Sequence, residues 1–464
     1  MMYNLFCFYS VLKNNYIYII YNMSNFIILP TQLFDKKYLD KSYNYIIWEH
    51  PHYFLTYKYN KKKIILHRAS CSYYYDYLKT HNFNIIDYIE YTDKKSIKKY
   101  TKNNYIIFDP IDKIKLNGEY TIINNPNFLL SNDLVNEYRN KTDKFFFNAF
   151  YMWSKKQLDI IPTIKSQDKF NRKKMPENIN IPKLISNKSN LKYIKKGIDL
   201  VNNNFKNNYG NVNNFIYPIT HESVNKWLDN FIKNKLKDFG NYQDYIDKNN
   251  QYLFHSILSS SINIGLIQPI DIIEKILKYN KSNKNKIPIN SLEGFIRQLF
   301  WREYQRYCYL FVDYKNKNYF KNSKKLNKDW YSGTLGIKPV DDCIINGFDT
   351  GYLHHIQRLM VVGNYMNLYG LHPKEGFKWF MEFSCDSYEW VMYQNVYDMV
   401  FFATGGLTMR RPYISSSNYI INMSNYDKKD EWTDKWDTLY HNFIKKNKKL
   451  LWKFRYYFPS LNKN

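Results

Sequence analysis

Cysteine is scarce in this chain of 464 residues: Cys7, Cys71, Cys308, Cys343 and Cys385 are all it has, and no two stand in CxxC spacing. That disfavours a disulfide scaffold and a four-cysteine metal site built from local pairs, and it fits a reducing, intracellular compartment. Acidic residues are also few, 41 Asp and Glu against 68 Lys and Arg, leaving a formal charge of +27. Such an excess points to a polyanion, nucleic acid first and an anionic membrane surface second. Part of it is compositional, because the sequence is crowded with Asn, Lys, Ile and Tyr as if written from A/T-rich codons. No apolar run reaches the roughly 18–20 residues that cross a bilayer. The nearest, MMYNLFCFYSVLKNNYIYIIYNM, is broken by Lys13, Asn14 and Asn15. It also lacks the basic start and small-residue cleavage site of a signal peptide. Met23 followed by SNFIILPTQLFD reads as a natural start, so residues 1–23 are expected to be an N-terminal extension without a fixed fold. A GxGxxG loop, a Walker lysine loop and internal repeats are absent, which leaves a nucleotide-phosphate cradle unsupported.

What is present argues for a globular protein. The hydrophobic fraction is 44% and aromatics make up 19%, which excludes wholesale disorder. The length predicts two or three domains. From residue 24 to about 145, short β-rich runs alternate with helical stretches. Phe26–Leu29, Tyr45–Trp48, Ile64–Leu66, Asn84–Tyr91 and Tyr105–Phe108 are the runs, and a helix-like stretch follows His67 through Leu78. Runs that are apolar on both faces predict a doubly wound parallel sheet. Residues 146–215 are polar, rich in Asn and Lys, and read as an interdomain connector. From 216 to 464 the chain reads as mostly helical. Thr220 is placed to cap a helix bearing Val224, Trp227, Leu228, Phe231, Ile232 and Leu236. Amphipathic stretches follow at 252–267, 291–311, 338–346, 352–369 and 373–383. The lysine clusters at 281–286 and 445–449 read as solvated loops or ends.

Several segments together carry a resemblance. They are GFDTGYLHHIQRLMVVGNYMNLYGLHP (347–373), EGFIRQLFWREYQRY (293–307), DSYEWVMYQNVYDMVFFATGGL (386–407) and RPYISSSNYIINMSNY (411–426). In the front half they are LPTQLFD (29–35), WEHPHYF (48–54), KKIILHRASCSYYYDYL (62–78), NPNFLLS (125–131) and DKFNRKKMP (168–176). This ordered series resembles the cryptochrome/photolyase superfamily, and within it the iron–sulfur bacterial cryptochromes and photolyases of the prokaryotic (6-4) photolyase group. The resemblance implies an α/β antenna-type domain (24–145), a linker (146–215) and an all-α domain (216–464) that holds FAD. It implies a light-dependent DNA-repair lyase in which photoexcited reduced FAD donates an electron to a flipped-out pyrimidine lesion, a (6-4) photoproduct rather than a cyclobutane dimer. A monomer acting on damaged DNA, wherever the DNA is kept and without a membrane partner, is expected.

The resemblance also implies site residues. Ser256, Leu258 and Ser259 fall on the family's phosphate-binding segment. Gln298 and Arg302 fall on the helix that offers groups to flavin and lesion, and Trp301 has a face on which a base can stack. Arg358 and Asp386 match its flavin-facing ion pair. His354 and His355 match its active-site histidine pair, where an imidazole can donate and recover a proton. Met392 and Asn395 lie in the segment WVMYQN near the flavin, and Trp379 and Tyr388 near an electron relay.

The chain departs from the family at three places. Pro339, Asp427 and Asp430 stand where cluster cysteines are expected, and no cysteine follows Cys385. Cluster iron needs thiolates, so no iron–sulfur cluster and no other metal site is expected, with Trp432, Trp436 and Tyr440 filling the space. Met392 replaces a glutamate expected near flavin N5, and a thioether neither donates nor carries charge. Lys165-Ser166-Gln167 replaces the linker's GGKW, so no antenna chromophore is assigned. A cryptochrome-like FAD photoreceptor without repair activity, and a DNA-binding relic with a dead cofactor site, remain the alternatives.

Overall fold

Strands covered by helices on both sides need apolar residues on both faces, and Phe26-Ile27-Ile28, Tyr45-Ile46-Ile47 and Tyr105-Ile106-Ile107 supply them. The computed structural model describes residues 24–160, 166–167, 170–185, 190–283 and 287–462. The expected N-terminal extension, Lys165 and residues 284–286 of the lysine cluster lie outside those residues. The sheet has five strands: β1 (Asn25–Ile28), β2 (Asn44–Trp48), β3 (Ile85–Ile89), β4 (Tyr105–Phe108) and β5 (Tyr120–Ile123). Their order is β3-β2-β1-β4-β5. All pairings are parallel, and Ile27 of β1 registers with Ile46 on one side and Ile107 on the other. The doubly wound sheet is therefore as expected, with β5 added as an edge strand that leaves Tyr120 and Ile122 exposed.

Between β1 and β4 the strand order reverses, where open α/β sheets usually take a ligand. Here Gln32 fills that point. Its Nε2 donates to the Phe108 carbonyl at 2.7 Å, and its Oε1 accepts from the Leu29 N–H at 3.2 Å.

Three stretches differ from the sequence reading. Ile64–Leu66 is part of a helix, Lys61–Thr80, not a strand. Asn60 caps that helix by accepting from the Lys62 N–H, and twenty residues without Gly or Pro carry it on; this local signal outweighs three β-favouring side chains. The stretch read as a connector contains two helices, Phe147–Leu158 and Leu191–Asn204. In the second, Tyr193, Ile194, Gly197 and Val201 form a buried stripe that the surrounding Lys and Asn dilute in composition. Gly197 crosses the Lys61–Thr80 helix so closely that a Cβ there would lie 2.9 Å from the Ile65 Cα. The amphipathic stretch 252–267 holds one five-residue helix, Ser259–Asn263, and is otherwise irregular.

The back half is helical. Thr220 caps His221–Asn234 in a reciprocal capping box with Ser223. The other main helices are Pro269–Ser282, Ile289–Phe311, Lys338–Thr350, Pro373–Phe383 and Trp432–Lys446. Two segments, Gln357–Gly363 and Tyr393–Val400, are wound as π-helix. Asn60 ties the halves together: its N–H donates to the Glu382 carbonyl at 2.7 Å and its Nδ2 to the Phe348 carbonyl at 2.8 Å. One continuous set of buried side chains runs through both halves. Among the described residues no helix is long and apolar enough to cross a membrane.

Candidate functional site

A cavity of about 850 Å³ opens in the helical half. Its walls come from the 255–263 segment, the Ile289–Phe311 helix and the two π-helical segments, and 411–419 forms part of its rim. π-Turns inside helices often mark functional sites because they shift side chains off the regular helical path. Ser256, Leu258, Ser259, Gln298, Trp301, Arg302, His354, His355, Arg358, Asp386, Met392 and Asn395 all line this one space. Trp379 and Tyr388 do not.

At its centre Arg358 holds Asp386 through Nη1 at 2.9 Å and Nη2 at 3.2 Å. Ser259 Oγ donates to the same carboxylate at 2.6 Å, and Ser384 Oγ donates to its other oxygen. Burial pushes the Asp386 carboxyl up. Arg358 and the two hydroxyls outweigh it and hold the group below its ordinary value, so it is ionised at neutral pH. Arg358 is fixed in turn by Nε donating to the Leu353 carbonyl at 2.6 Å.

The segment that brings Ser256, Leu258 and Ser259 here is bent at Ile257, whose φ is +56°. A β-branched residue in the left-handed region is strained, and the bend sits between two of the expected contact residues. The Ser256 carbonyl accepts from Trp227 Nε1 at 2.7 Å, which pins the bend to the capped helix.

Arg302 is buried. Its Nε donates to Asn263 Oδ1 at 3.1 Å and its Nη1 to the Asn127 carbonyl at 2.6 Å. Phe128 and Trp390 flank the guanidinium at 4.3 and 4.7 Å from their ring centres. Its Nη2 has no protein partner. Burial pulls its pKa down to about 9, which leaves it cationic at neutral pH. Asn263 also donates to the Asp386 carbonyl at 2.9 Å, so one polar chain joins Arg358, Asp386, Asn263, Arg302 and Asn127 of the sheet half. Trp301 is half-buried. One of its faces is covered by Phe147, stacked at 3.6 Å and 10°, so it has only its other face to offer a base.

His354 is 2% exposed, and neither ring nitrogen has a protein partner. His255 stacks on it at 4.7 Å and 12°, and the His255 Nε2 is likewise unpartnered. Burial, with Lys235 and His355 adding, pushes the His255 pKa down to about 3. Burial, His255, His355 and Arg358 push His354 well below its ordinary value. His355 faces the open cavity and is still enclosed by protein; that enclosure and Arg358 bring it to about 4. All three imidazoles are therefore neutral at pH 7, each with one N–H and one lone pair, rather than ready proton donors. His255, Asn263 and Asn127 had not been singled out. The first two flank Ser256, Leu258 and Ser259 in the chain, and only those three match the family's phosphate-binding segment.

Met392 is buried at the cavity wall, and Asn395 donates to the Val391 carbonyl at 2.8 Å. Gln298 donates to Gln243 at 3.3 Å. Trp379 lies behind the wall, touching the lining residue Phe380 at 5.3 Å, with Nε1 donating to the Trp330 carbonyl at 2.7 Å. Tyr388 points the other way, its hydroxyl 3.3 Å from Nε2 of His67 in the sheet half. Trp432 and Trp436 are buried, and Trp436 Nε1 donates to the Ser415 carbonyl at 3.0 Å.

Comparison with known proteins follows the same division. Residues 26–217 match the family model of deoxyribodipyrimidine photo-lyase-related proteins, and residues 295–454 match the FAD binding domain of DNA photolyase. A (6-4) photolyase of Agrobacterium fabrum is 35% identical over 272 residues, 56% of this chain and 53% of that protein. The aligned part thus spans about half the length of that relative. An uncharacterized protein of Acanthamoeba polyphaga mimivirus is 56% identical over 88 residues, 19% of this chain and 72% of its own length. Among solved structures, a bacterial class III photolyase from Agrobacterium tumefaciens shares the fold, with a TM-score of 0.55 and 12% identity over 95% of this chain and 92% of that one. A parallel sheet followed by a helical cavity domain, with both matching family models in that order, assigns this chain to the cryptochrome/photolyase superfamily.

Proposed function

We propose that the protein is a light-dependent DNA-repair flavoprotein, a lyase that binds FAD and reverses (6-4) photoproducts in damaged DNA. One observation carries this reading. The expected flavin- and lesion-facing residues meet in a single cavity whose walls hold buried polar atoms without protein partners: Arg302 Nη2, both ring nitrogens of His354 and Nε2 of His255. Buried polar atoms are normally satisfied, so these await a ligand. The volume lies in the range that encloses cofactor-sized molecules.

FAD bound there supplies light-driven one-electron chemistry. In this reading Ser256 offers its hydroxyl to the cofactor's phosphates, Ser259 borders the cofactor while its own hydroxyl stays on Asp386, and Arg302 offers a free guanidinium nitrogen. Arg358 and Asp386 present a fixed charge pair to its ring edge. His354 and His355 face the lesion as neutral hydrogen-bonding groups, and an anionic substrate beside them raises their proton affinity. Trp301 offers its uncovered face to a base. The formal charge of +27 supplies salt-dependent attraction to DNA. We further read the Pro339, Asp427 and Asp430 positions as loss of the iron–sulfur cluster, with Trp432 and Trp436 filling the space. Repair requires no cluster in this reading, and Trp379 serves as the inner relay residue.

A second reading is a photoreceptor without repair activity, favoured by Met392 on the cavity wall. The test is the visible spectrum of purified protein with released flavin and iron quantified, followed by illumination of an oligonucleotide carrying one (6-4) photoproduct. Stoichiometric FAD with light-dependent reversal supports repair. FAD without reversal favours the photoreceptor. Colourless protein overturns both, and about four irons per chain overturns the cluster loss.

A further inference from the structure

The short helix Trp452–Tyr457 has no buried side chain. Tyr456 is 85% exposed, Tyr457 50% and Trp452 49%. Isolated exposed rings are ordinary, but a contiguous set marks a contact surface. These rings are interleaved with cations. The Arg455 guanidinium lies 5.5 Å from the Trp452 ring centre and 5.2 Å from that of Tyr456. Arg411 lies 4.4 Å from the ring of Tyr457, and both residues belong to the cavity rim. Beside the turn is a cleft of about 500 Å³ lined by Arg410 and Lys453, with Lys453 Nζ donating to the Gly405 carbonyl at 3.1 Å.

Nothing on these segments neutralises that charge. Residues 399–426 and 438–464 contain no Asp or Glu, and the second stretch carries Lys445, Lys446, Lys448, Lys449, Lys453, Arg455 and Lys463. A surface that is cationic, aromatic and exposed suits a ligand that is polyanionic and flat at once. A single nucleic-acid strand has both properties: its phosphates pair with Lys and Arg, and its unstacked bases lie on rings regardless of sequence.

We propose that Trp452–Tyr457, continuous with the cavity rim through Tyr457 and Arg411, is a stacking surface for an undamaged single strand of DNA. It rests on the repair reading only in naming DNA, and it adds a sequence-independent single-strand site outside the cavity.

The test uses the full-length purified protein and an undamaged single-stranded oligonucleotide containing 2-aminopurine. The expected result is quenching on binding. The Trp452→Ala/Tyr456→Ala variant weakens binding about tenfold or more, with the same salt dependence. The Trp452→Phe/Tyr456→Phe variant restores it, which a folding defect would not. Lys453→Ala/Arg455→Ala lowers the slope of log affinity against log salt by about 1.4, at ~0.7 per cation on single strands. Ring variants that bind like the wild type, or absence of quenching, overturn the proposal. So does capture by phosphatidylserine vesicles in preference to the oligonucleotide, since exposed rings with Lys and Arg also suit a membrane surface. Flavin content and lesion reversal are measured in parallel. A wild type that quenches but repairs nothing fails the repair reading alone. A repairing protein whose ring variants bind normally fails this one alone.

Discussion

Arg358 and Asp386 form a two-pronged ion pair whose carboxylate also accepts from Ser259, so three separate chain segments converge on one charge. Asp386→Asn keeps the shape and removes the charge. It leaves Arg358 uncompensated in a mostly buried site, at a cost of about 3–5 kcal/mol. The expected outcome is a lower melting temperature and loss of co-purifying flavin, read from the 450 nm to 280 nm absorbance ratio on a scale set by the wild type. Because the Asp386 pKa is held below 3.8 in the fold, its stabilisation is complete at neutral pH and fades only as the pH falls below about 4.

Acid should weaken the fold earlier through histidine. His221 and His255 are pushed from 6.5 to about 4 and 3. Below pH 6.5 the unfolded chain takes up protons that the folded chain refuses, so stability falls as the pH drops from about 6.5 toward 4. Thermal melts at pH 7.5, 6.5, 5.5 and 4.5 measure this. His255→Phe still offers His354 a ring to stack on but does not titrate, so its profile is flatter over that window. An unchanged slope would remove His255 from the account.

Met392→Glu places a carboxyl on the cavity wall where a thioether now sits. A negative charge beside a bound flavin disfavours adding electrons to it. The midpoint potential therefore shifts downward, measurable by dye-coupled titration, and the melting temperature drops because an unpaired buried carboxylate is costly.

Gly197→Ala probes the close helix crossing in the sheet half. The added methyl meets Ile65 backbone atoms at 2.9–3.0 Å. The overpacking costs about 1–3 kcal/mol, more than the ~1 kcal/mol that alanine gains in helix propensity. A lower urea midpoint with normal flavin content is expected.

Trp379→Phe removes the indole N–H that satisfies the Trp330 carbonyl. Leaving that acceptor unmade costs about 1–3 kcal/mol. Flavin binding should survive, because Trp379 lies behind the wall and not on it. Light-driven reduction of the bound flavin, followed as bleaching at 450 nm under anaerobic conditions, slows.

Much of the site was legible because its residues fall in short, spaced patterns that survive composition drift: the His354-His355 pair, the arginine four beyond His354, and the aspartate opening 386–407. The helical half was legible through 3–4 spacing. The sheet half was legible where strands are apolar on both faces, and misleading at Ile64–Leu66, where a capping asparagine four residues upstream decided the conformation. His255 and Asn127 were not legible for another reason. Each acts through a partner distant in sequence, His354 in one case and Arg302 in the other, and no local pattern encodes a stack or a carbonyl contact of that span. The helix Leu191–Asn204 was hidden by Lys and Asn, which mark its solvent side and mask the buried stripe.

Asn60 has a broader consequence. One side chain and its own backbone N–H reach two carbonyls, at Phe348 and Glu382, in the other half of the chain. Separating the halves would strand both carbonyls and expose the apolar seam between them. The sheet half is therefore no interchangeable cartridge: a graft of a different front end would have to reproduce an asparagine at the foot of its first long helix. Splicing in a chimera is a more demanding operation here than the two-domain outline suggests.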